Sequence, residues 1–310
     1  MLNRDRLEAF ATVVELQSFE SAATQLKVTR SAVSQRVRAL EEALGCVLLI
    51  RAIPTVPTEE GFQLLRHVQA LRLMEDETLQ LIKGNKTTPI KMALGVNADS
   101  LATWFRPVLA MLYEELDVSV ELVVDDQDHT AQLMQRGEVM GCVSVDAETP
   151  KGFVADYLGS MRYLCVANKR FATRYLSDGL TMDAVLQTNA ILFNRKDKIH
   201  DNFLAAHMGV SVNSFPKHYI PSPEGLYDAV AVGMGYGLVP EEQAKNDLRT
   251  GKLVNLVPDM PLDIALYWHH WSIEPNISVS VTSCVKKCAS ASLYSDVKLI
   301  STPRHLRAIG

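Results

Sequence analysis

Residues 18–44, SFESAATQLKVTRSAVSQRVRALEEAL, constrain this chain more than any other stretch, because two short helical patterns follow one another across a tight break. In the first, Phe19, Ala22, Ala23 and Leu26 recur at steps of three and four, which makes one face of a helix opened by Ser18 or Glu20 apolar. After Lys27 and Val28, the residues Ala32, Val33, Val37, Leu40 and Leu44 take up the same period. The second helix then has a core face and an outer face carrying Ser31, Ser34, Gln35 and Arg38. Hydroxyls, an amide and guanidinium groups suit a major groove, where they reach phosphates and base edges and Arg forks onto guanine. Between Ser21 and Leu40 stand Lys27, Arg30, Arg36 and Arg38 with no Asp or Glu, a local +4 in a chain of formal net charge -5. An acidic total does not oppose duplex DNA as a partner when one local basic face makes the contact.

Before this pair, Leu7, Phe10, Val13, Val14 and Leu16 predict a third amphipathic helix over Asn3 to Leu16, enough for one small three-helix core. Gly45 is placed to end the second helix. Cys46 to Ile50 is a short apolar run, followed by Arg51 and the proline-punctuated IPTVPT, which reads as a projecting hairpin and not a central strand. From Thr58 as N-cap, with Glu59 and Glu60 in the first turn, a long helix is expected to about Lys83. Its Leu64, Val68, Leu71, Glu75, Thr78 and Ile82 alternate steps of four and three, a weak coiled-coil pattern that suggests pairing with a second copy. GNKTT, Gly84 to Thr88, reads as a polar linker.

From Pro89 the pattern changes to short apolar runs alternating with helices, as α/β architecture requires. Strands are expected at IKMALGV, Val118 to Val124, Val139 to Val145, Tyr163 to Ala167, Ala190 to Phe193, His218 to Ile220, GMGYGLVP and Ile264 to His270. Helices are expected at Ser100 to Glu115, His129 to Arg136, Thr181 to Gln187, Ile199 to Met208, Glu224 to Val232 and Val279 to Leu293. The layout is a two-lobed, periplasmic-binding-like unit with a cleft for a small ligand at the strand ends.

A length of 310 residues with 47% hydrophobic content supports two or three globular domains. The start lacks an apolar leader core and no apolar run reaches the roughly eighteen residues of a membrane span, so a cytoplasmic protein without a membrane partner is expected. Five scattered cysteines argue against a disulfide framework, and Cys284 with Cys288 lacks a second ligand pair for a metal. No nucleophile elbow or phosphate loop is legible, which points away from an enzyme, and no cofactor is expected.

FESAATQLKVTRSAVSQRVRALEEALGCVLLIR, followed by PT and EG, resembles the winged helix-turn-helix of LysR-type transcriptional regulators, and the two-lobed remainder fits that family over the whole chain. VNADSLATW, RGEVMGCVS and LYWHHWSIEP are similar to the branch that senses basic amino acids and controls their export, also described as chromosome-replication-initiation inhibitors. The resemblance implies an all-α winged helix-turn-helix domain (1–58), a linker dimerisation helix (59–88) and an effector-binding domain (89–310). Lobe I would span about 89–161 and 266–310, and lobe II about 162–265. It further implies a homodimer or homotetramer acting with RNA polymerase at a promoter. Thr29, Arg30, Ser31, Ser34, Gln35, Arg36 and Arg38 would meet DNA, with Arg51 and Thr55 in the wing. The implied effector is lysine or arginine. A repressor or DNA-architectural protein sensing another metabolite is the alternative.

An amino acid offers a carboxylate and an ammonium, and a basic one adds a second cation. The hydroxyls of Ser100 and Ser144 are candidates for the carboxylate; Asp99, Asp125, Asp126, Asp128 and Glu224, at strand or helix ends, are candidates for the cations. Each acid equally suits a capping role. Phe193 and Trp104 are candidate walls, and each equally suits a core. His269 and His270 adjoin on a strand, so they face opposite sides and cannot share a metal.

Overall fold

A computed structural model describes residues 2–83, 89–116, 118–124, 133–134, 136–149, 152–212 and 214–295. Its amino-terminal unit comprises α1 (Arg4–Leu16), α2 (Phe19–Leu26), α3 (Arg30–Leu44), a two-stranded wing β1 (Leu49–Ile50) and β2 (Val56–Pro57), and α4 (Glu59–Lys83). Side-chain oxygens start all four helices: Asn3, Ser18, Thr29 and Thr58 accept from the amides of Arg6, Ser21, Ala32 and Gly61. Gly45, at φ 71°, ends α3 as the sequence predicts, while Lys27 fills the corresponding left-handed position after α2. Phe10, Ala22, Val33, Val37 and Leu40 close the core. Leu16 and Leu44, expected inside, are 37% and 39% exposed, because each lies at a helix end beyond the reach of the neighbouring helix.

The helix α4 runs as predicted, yet much of its apolar seam is satisfied within the chain. Leu64, Leu65 and Val68 are buried in the amino-terminal core, and Glu75 is paired with Arg4 at 2.7 Å. Arg72 holds Glu8 and Glu15 on α1. Leu73 joins the core of the following domain, and Glu77 accepts the Ile277 amide at 2.8 Å. Only Met74, Leu79, Leu81 and Ile82 remain as large exposed apolar groups on this helix, so its exposed apolar surface is confined to its second half. The linker expected at 84–88 and residues 129–132 and 135 of the helix expected at 129–136 lie outside the described residues.

The second unit is built on one sheet of nine strands among the described residues. The strands are β3 (Ile90–Val96), β4 (Val118–Val124), β5 (Gly141–Ser144), β6 (Phe153–Asn168), β7 (Ala190–Leu192), β8 (Lys217–Tyr219), β9 (Tyr236–Pro240), β10 (Leu253–Asn255) and β11 (Leu262–Trp271). Their order is β4-β3-β5-β11-β6-β9-β7-β8, with β10 also on β6. The long antiparallel pair β6 and β11 is common to both lobes. Parallel strands β3, β4 and β5 lie on one side of it and β7, β8 and β9 on the other. The helices are α5 (Ala98–Ala102), α6 (Arg106–Glu115), α7 (Lys169–Tyr175), α8 (Met182–Gln187), α9 (Ile199–Met208), α10 (Pro223–Val232), α11 (Glu241–Arg249) and α12 (Asn276–Ser292).

Two departures bear on the cleft. The strand expected at Tyr163 to Ala167 is the end of a 16-residue strand; Asp156, Gly159 and Arg162 break its apolar alternation and hide its first half. The single helix expected from Ser100 to Glu115 is two, divided at Thr103 to Phe105, with Pro107 opening the second.

Gly141 opens β5 directly over Trp268, and a Cβ there would overlap the indole ring. That ring is 1% exposed and pinned by its Nε1–H donating to Thr282 Oγ1 at 2.9 Å. Gly141→Ala is therefore expected to destabilise the chain by about 2 kcal/mol, read as a lower urea midpoint with an unchanged slope.

Candidate functional site: a groove-reading helix and an acidic interlobe cleft

The outer face of α3 carries Arg30, Ser31, Gln35 and Arg38 exposed, with Ser34 and Arg36 half-buried beside them. From Ser31 to Arg38 this face covers roughly 10 Å of helix, within the ~12 Å width of a major groove. Arg30 pairs loosely with Glu20 at 3.6 Å and Arg36 with Asp5 at 3.5 Å; exposed pairs of this kind are weak and yield readily to phosphate. Thr29 is the N-cap, its hydroxyl accepting the Ala32 amide. Arg51 lies with its guanidinium 5.8 Å from the Phe19 ring centroid and 3.7 Å from Glu41. Glu41 also accepts the Leu48 amide at 2.9 Å, fixing the start of the wing against α3. Thr55 corrects the expectation of a wing contact: it is 6% exposed, its amide donates to Gln17 O and its hydroxyl to Ala52 O. It anchors the wing from beneath.

The second site is a narrow cleft between the lobes, with about 30 Å³ of free volume. Lobe I contributes Asp99 from α5; Tyr163 lies on the shared strand β6; lobe II contributes Ile191, Phe193, Asp197, His200, Pro223 and Gln243 among others. Asn97 and not Asp99 caps α5, its Oδ1 accepting the Ser100 amide at 3.1 Å. The Asp99 carboxylate is thereby free to turn to the cleft, where it accepts the Tyr163 hydroxyl at 2.6 Å. Burial pushes its pKa up to about 6; the Tyr163 hydrogen bond opposes the shift, and the charges of Asp197 and Glu224 add to it. Two carboxylates, Asp99 and Asp197, thus line the cleft from opposite lobes. Glu224 stands at its edge, exposed, bridging the lobes to Arg106 at 3.0 Å.

Other expected ligand residues are placed differently. Ser100 is fully buried and its hydroxyl accepts the Trp104 indole N–H at 3.0 Å; Trp104 itself is in the lobe I core, edge-on to Phe105. Ser144 is 1% exposed and accepts the Asp146 amide at 3.1 Å. Continuing the β3–β5 register from Gly95↔Cys142 sets Ser144 beside Asn97, so both serines shape the floor under α5 while neither lines the described cleft. Phe193 does line it. Asp125, Asp126 and Asp128 lie outside the described residues. His269 and His270 have separate partners, Asp146 O for one and the Asp156 and Glu274 carboxylates for the other. Asp197, Tyr163, His200 and Gln243 were not singled out from sequence. Asp197 alone had a local signal, two residues ahead of a helix start, where it accepts the Ile199 amide.

Residues 4–62 match the model of the bacterial regulatory helix-turn-helix proteins of the lysR family, and residues 91–284 match the LysR substrate binding domain. The HTH-type transcriptional regulator ArgP of Photobacterium profundum is 37% identical over 87% of this chain and 91% of its own length. The crystal structure of ArgP from Mycobacterium tuberculosis superimposes with a TM-score of 0.86 at 37% identity, covering 96% of this chain and 100% of that one. Full-length LysG from Corynebacterium glutamicum with bound effector Arg gives 0.83 at 32% identity, covering 94% and 99%. The chain belongs to the LysR family of bacterial helix-turn-helix transcriptional regulators.

Proposed function

We propose that this regulator senses lysine or arginine in the interlobe cleft and controls the export of such amino acids at a promoter, without catalysing a reaction. The observation that carries the effector class is the pair of carboxylates, Asp99 and Asp197, that line one cleft from opposite lobes: a half-buried carboxylate whose pKa is raised to about 6 by burial, and further by the charges of Asp197 and Glu224, is suited to receive a cation. The arginine bound in the similar LysG structure supports the same class. In this reading the chain works in three parts, 1–58 on DNA, 59–88 as a pairing helix and 89–310 as the sensor. Ser31, Ser34, Gln35, Arg36 and Arg38 meet the groove and its phosphates, and Arg51 holds the wing edge. A dimer or tetramer doubles the contact through the exposed end of α4, and effector binding changes lobe closure, which tilts the paired helices before RNA polymerase. A cytoplasmic location follows from this role, and no described helix is long and apolar enough to cross a membrane.

For the DNA face, Gln35→Ala is expected to weaken binding to the promoter fragment roughly tenfold in gel-shift titrations, since a good base contact contributes about 1–3 kcal/mol. Arg38→Ala should lower the salt slope by about one unit. Thr55→Ala should instead lower the melting temperature, and equal losses of DNA affinity for Thr55→Ala and Gln35→Ala would refute the assignment of roles.

For the cleft, a cationic effector binds the Asp99 carboxylate and must displace its proton once pH falls below about 6. Calorimetric affinity for lysine or arginine is therefore expected to be level from pH 7 to 8 and to fall towards pH 5, by up to tenfold per unit. The free protein behaves oppositely. Asp99 is raised above its unfolded value, so its ionised form opposes folding above pH 6 and the cost disappears below about pH 4. Asp99→Asn should raise the melting temperature of the free protein at pH 7.5, leave it unchanged near pH 4, and abolish the pH dependence of effector binding.

A further inference from the structure

Seven buried side-chain nitrogen or oxygen atoms have no hydrogen-bond partner among the described residues, and three of them, both ring nitrogens of His200 and Oε1 of Gln243, belong to side chains that line the same cleft. Such groups are costly and ordinarily scattered; their gathering here points to something that satisfies them together. His200, in the first turn of α9, is 2% exposed. Its ring lies between Phe215 at 5.8 Å and Tyr236 at 5.5 Å, centroid to centroid, which fixes the imidazole plane. His200 and Gln243 both line the cleft that Asp99 faces from the opposite lobe. Burial, and secondarily the charge of Lys217, lowers the imidazole pKa to about 3, so the ring is neutral at cellular pH and offers one lone pair and one N–H. Lys217 is itself paired with Asp201 at 3.1 Å and leaves the cleft's charge to the carboxylates.

Resting on the reading of this cleft as a basic-amino-acid site, we propose that His200 and Gln243 are its specificity-determining residues on lobe II. The imidazole lone pair and Gln243 Oε1 accept N–H bonds from the cationic side-chain end of the effector, while Asp99 of lobe I supplies the counter-charge. Effectors lacking those donors leave the lobe II groups unsatisfied, and discrimination follows from that penalty.

Calorimetric titration of the full-length protein with arginine and with lysine tests this, using the wild type, His200→Phe, His200→Gln and Gln243→Leu. His200→Phe and Gln243→Leu are each expected to weaken binding roughly tenfold. His200→Gln, which keeps a neutral acceptor, should stay within about threefold of wild type. Wild-type affinity in Gln243→Leu and His200→Phe overturns the proposal, as does a His200→Gln variant of normal melting temperature that binds as weakly as His200→Phe. Should His200→Phe not fold, undiminished binding by Gln243→Leu is sufficient to overturn it. A wild-type protein that binds neither amino acid sinks the basic-amino-acid reading and this inference together, whereas wild-type binding with insensitive variants sinks this inference alone.

Discussion

The antiparallel pairing of β6 with β11 is the constraint on which the sensor depends. Ten residue pairs join the two strands, from Leu262↔Tyr163 to Trp271↔Phe153, with one register shift between Leu266 and Tyr267. The other strands of each lobe are added to this ribbon or to strands already on it. Gly159 lies opposite the shift at φ 131°, and a Cβ there would approach Leu293 Cβ to 2.7 Å. Side chains hold the ribbon on both sides of that point. On the lobe I side His270 spans Asp156 and Glu274 at 2.8 and 3.0 Å, and the two carboxylates raise its pKa against the opposing effect of burial. On the lobe II side Arg162 makes two bonds to Asp263 and stacks 4.2 Å under Tyr294, whose hydroxyl donates to Glu241.

That geometry explains how the cleft assembles a charge that neither lobe carries alone. Asp99 arrives after β3, Asp197 after β7 and Glu224 in the first turn of α10, all at the carboxyl ends of parallel strands or in the segments that follow them. Parallel strands deliver such ends to the topological switch between the lobes. Burial raises the pKa of Asp99, and the charges of Asp197 and Glu224 add to the shift. A cation placed among them would offset that charge.

The helix α4 gives this sensor a mechanical route to the DNA-binding unit. Its first turns belong to the amino-terminal core through Leu65 and Val68, and its middle belongs to lobe I through Leu73. Arg72 and Arg4 fasten it to α1 by ion pairs, and Gln69 and Glu77 fasten it to the Gly137 and Ile277 backbones. One continuous helix gripped by both units transmits tilt without needing a flexible joint at that contact.

Local chemistry determined much of this in the sequence alone. Capping oxygens at Ser18 and Thr58, the apolar periods of α1 to α3, and the short apolar runs Ile90–Val96 and Val118–Val124 specify their elements within a few residues, because each signal lies inside one turn or one strand. The exposed face of α3 was legible for the same reason: a side chain left off the apolar stripe of a helix must point outward. Which acids share a cavity was not legible, since the strands that precede Asp99 and Asp197 are joined through β5, β11, β6 and β9, and capping and ligand roles read alike in one dimension. Tertiary structure decided that Asn97 caps α5 and frees Asp99, that Ser100 and Ser144 are spent on Trp104 and the Asp146 amide, that Thr55 turns inward, and that half of the α4 seam is used at home. Each of these depends on what packs against the residue from a distant part of the chain, and contacts of that kind leave no period in a sequence.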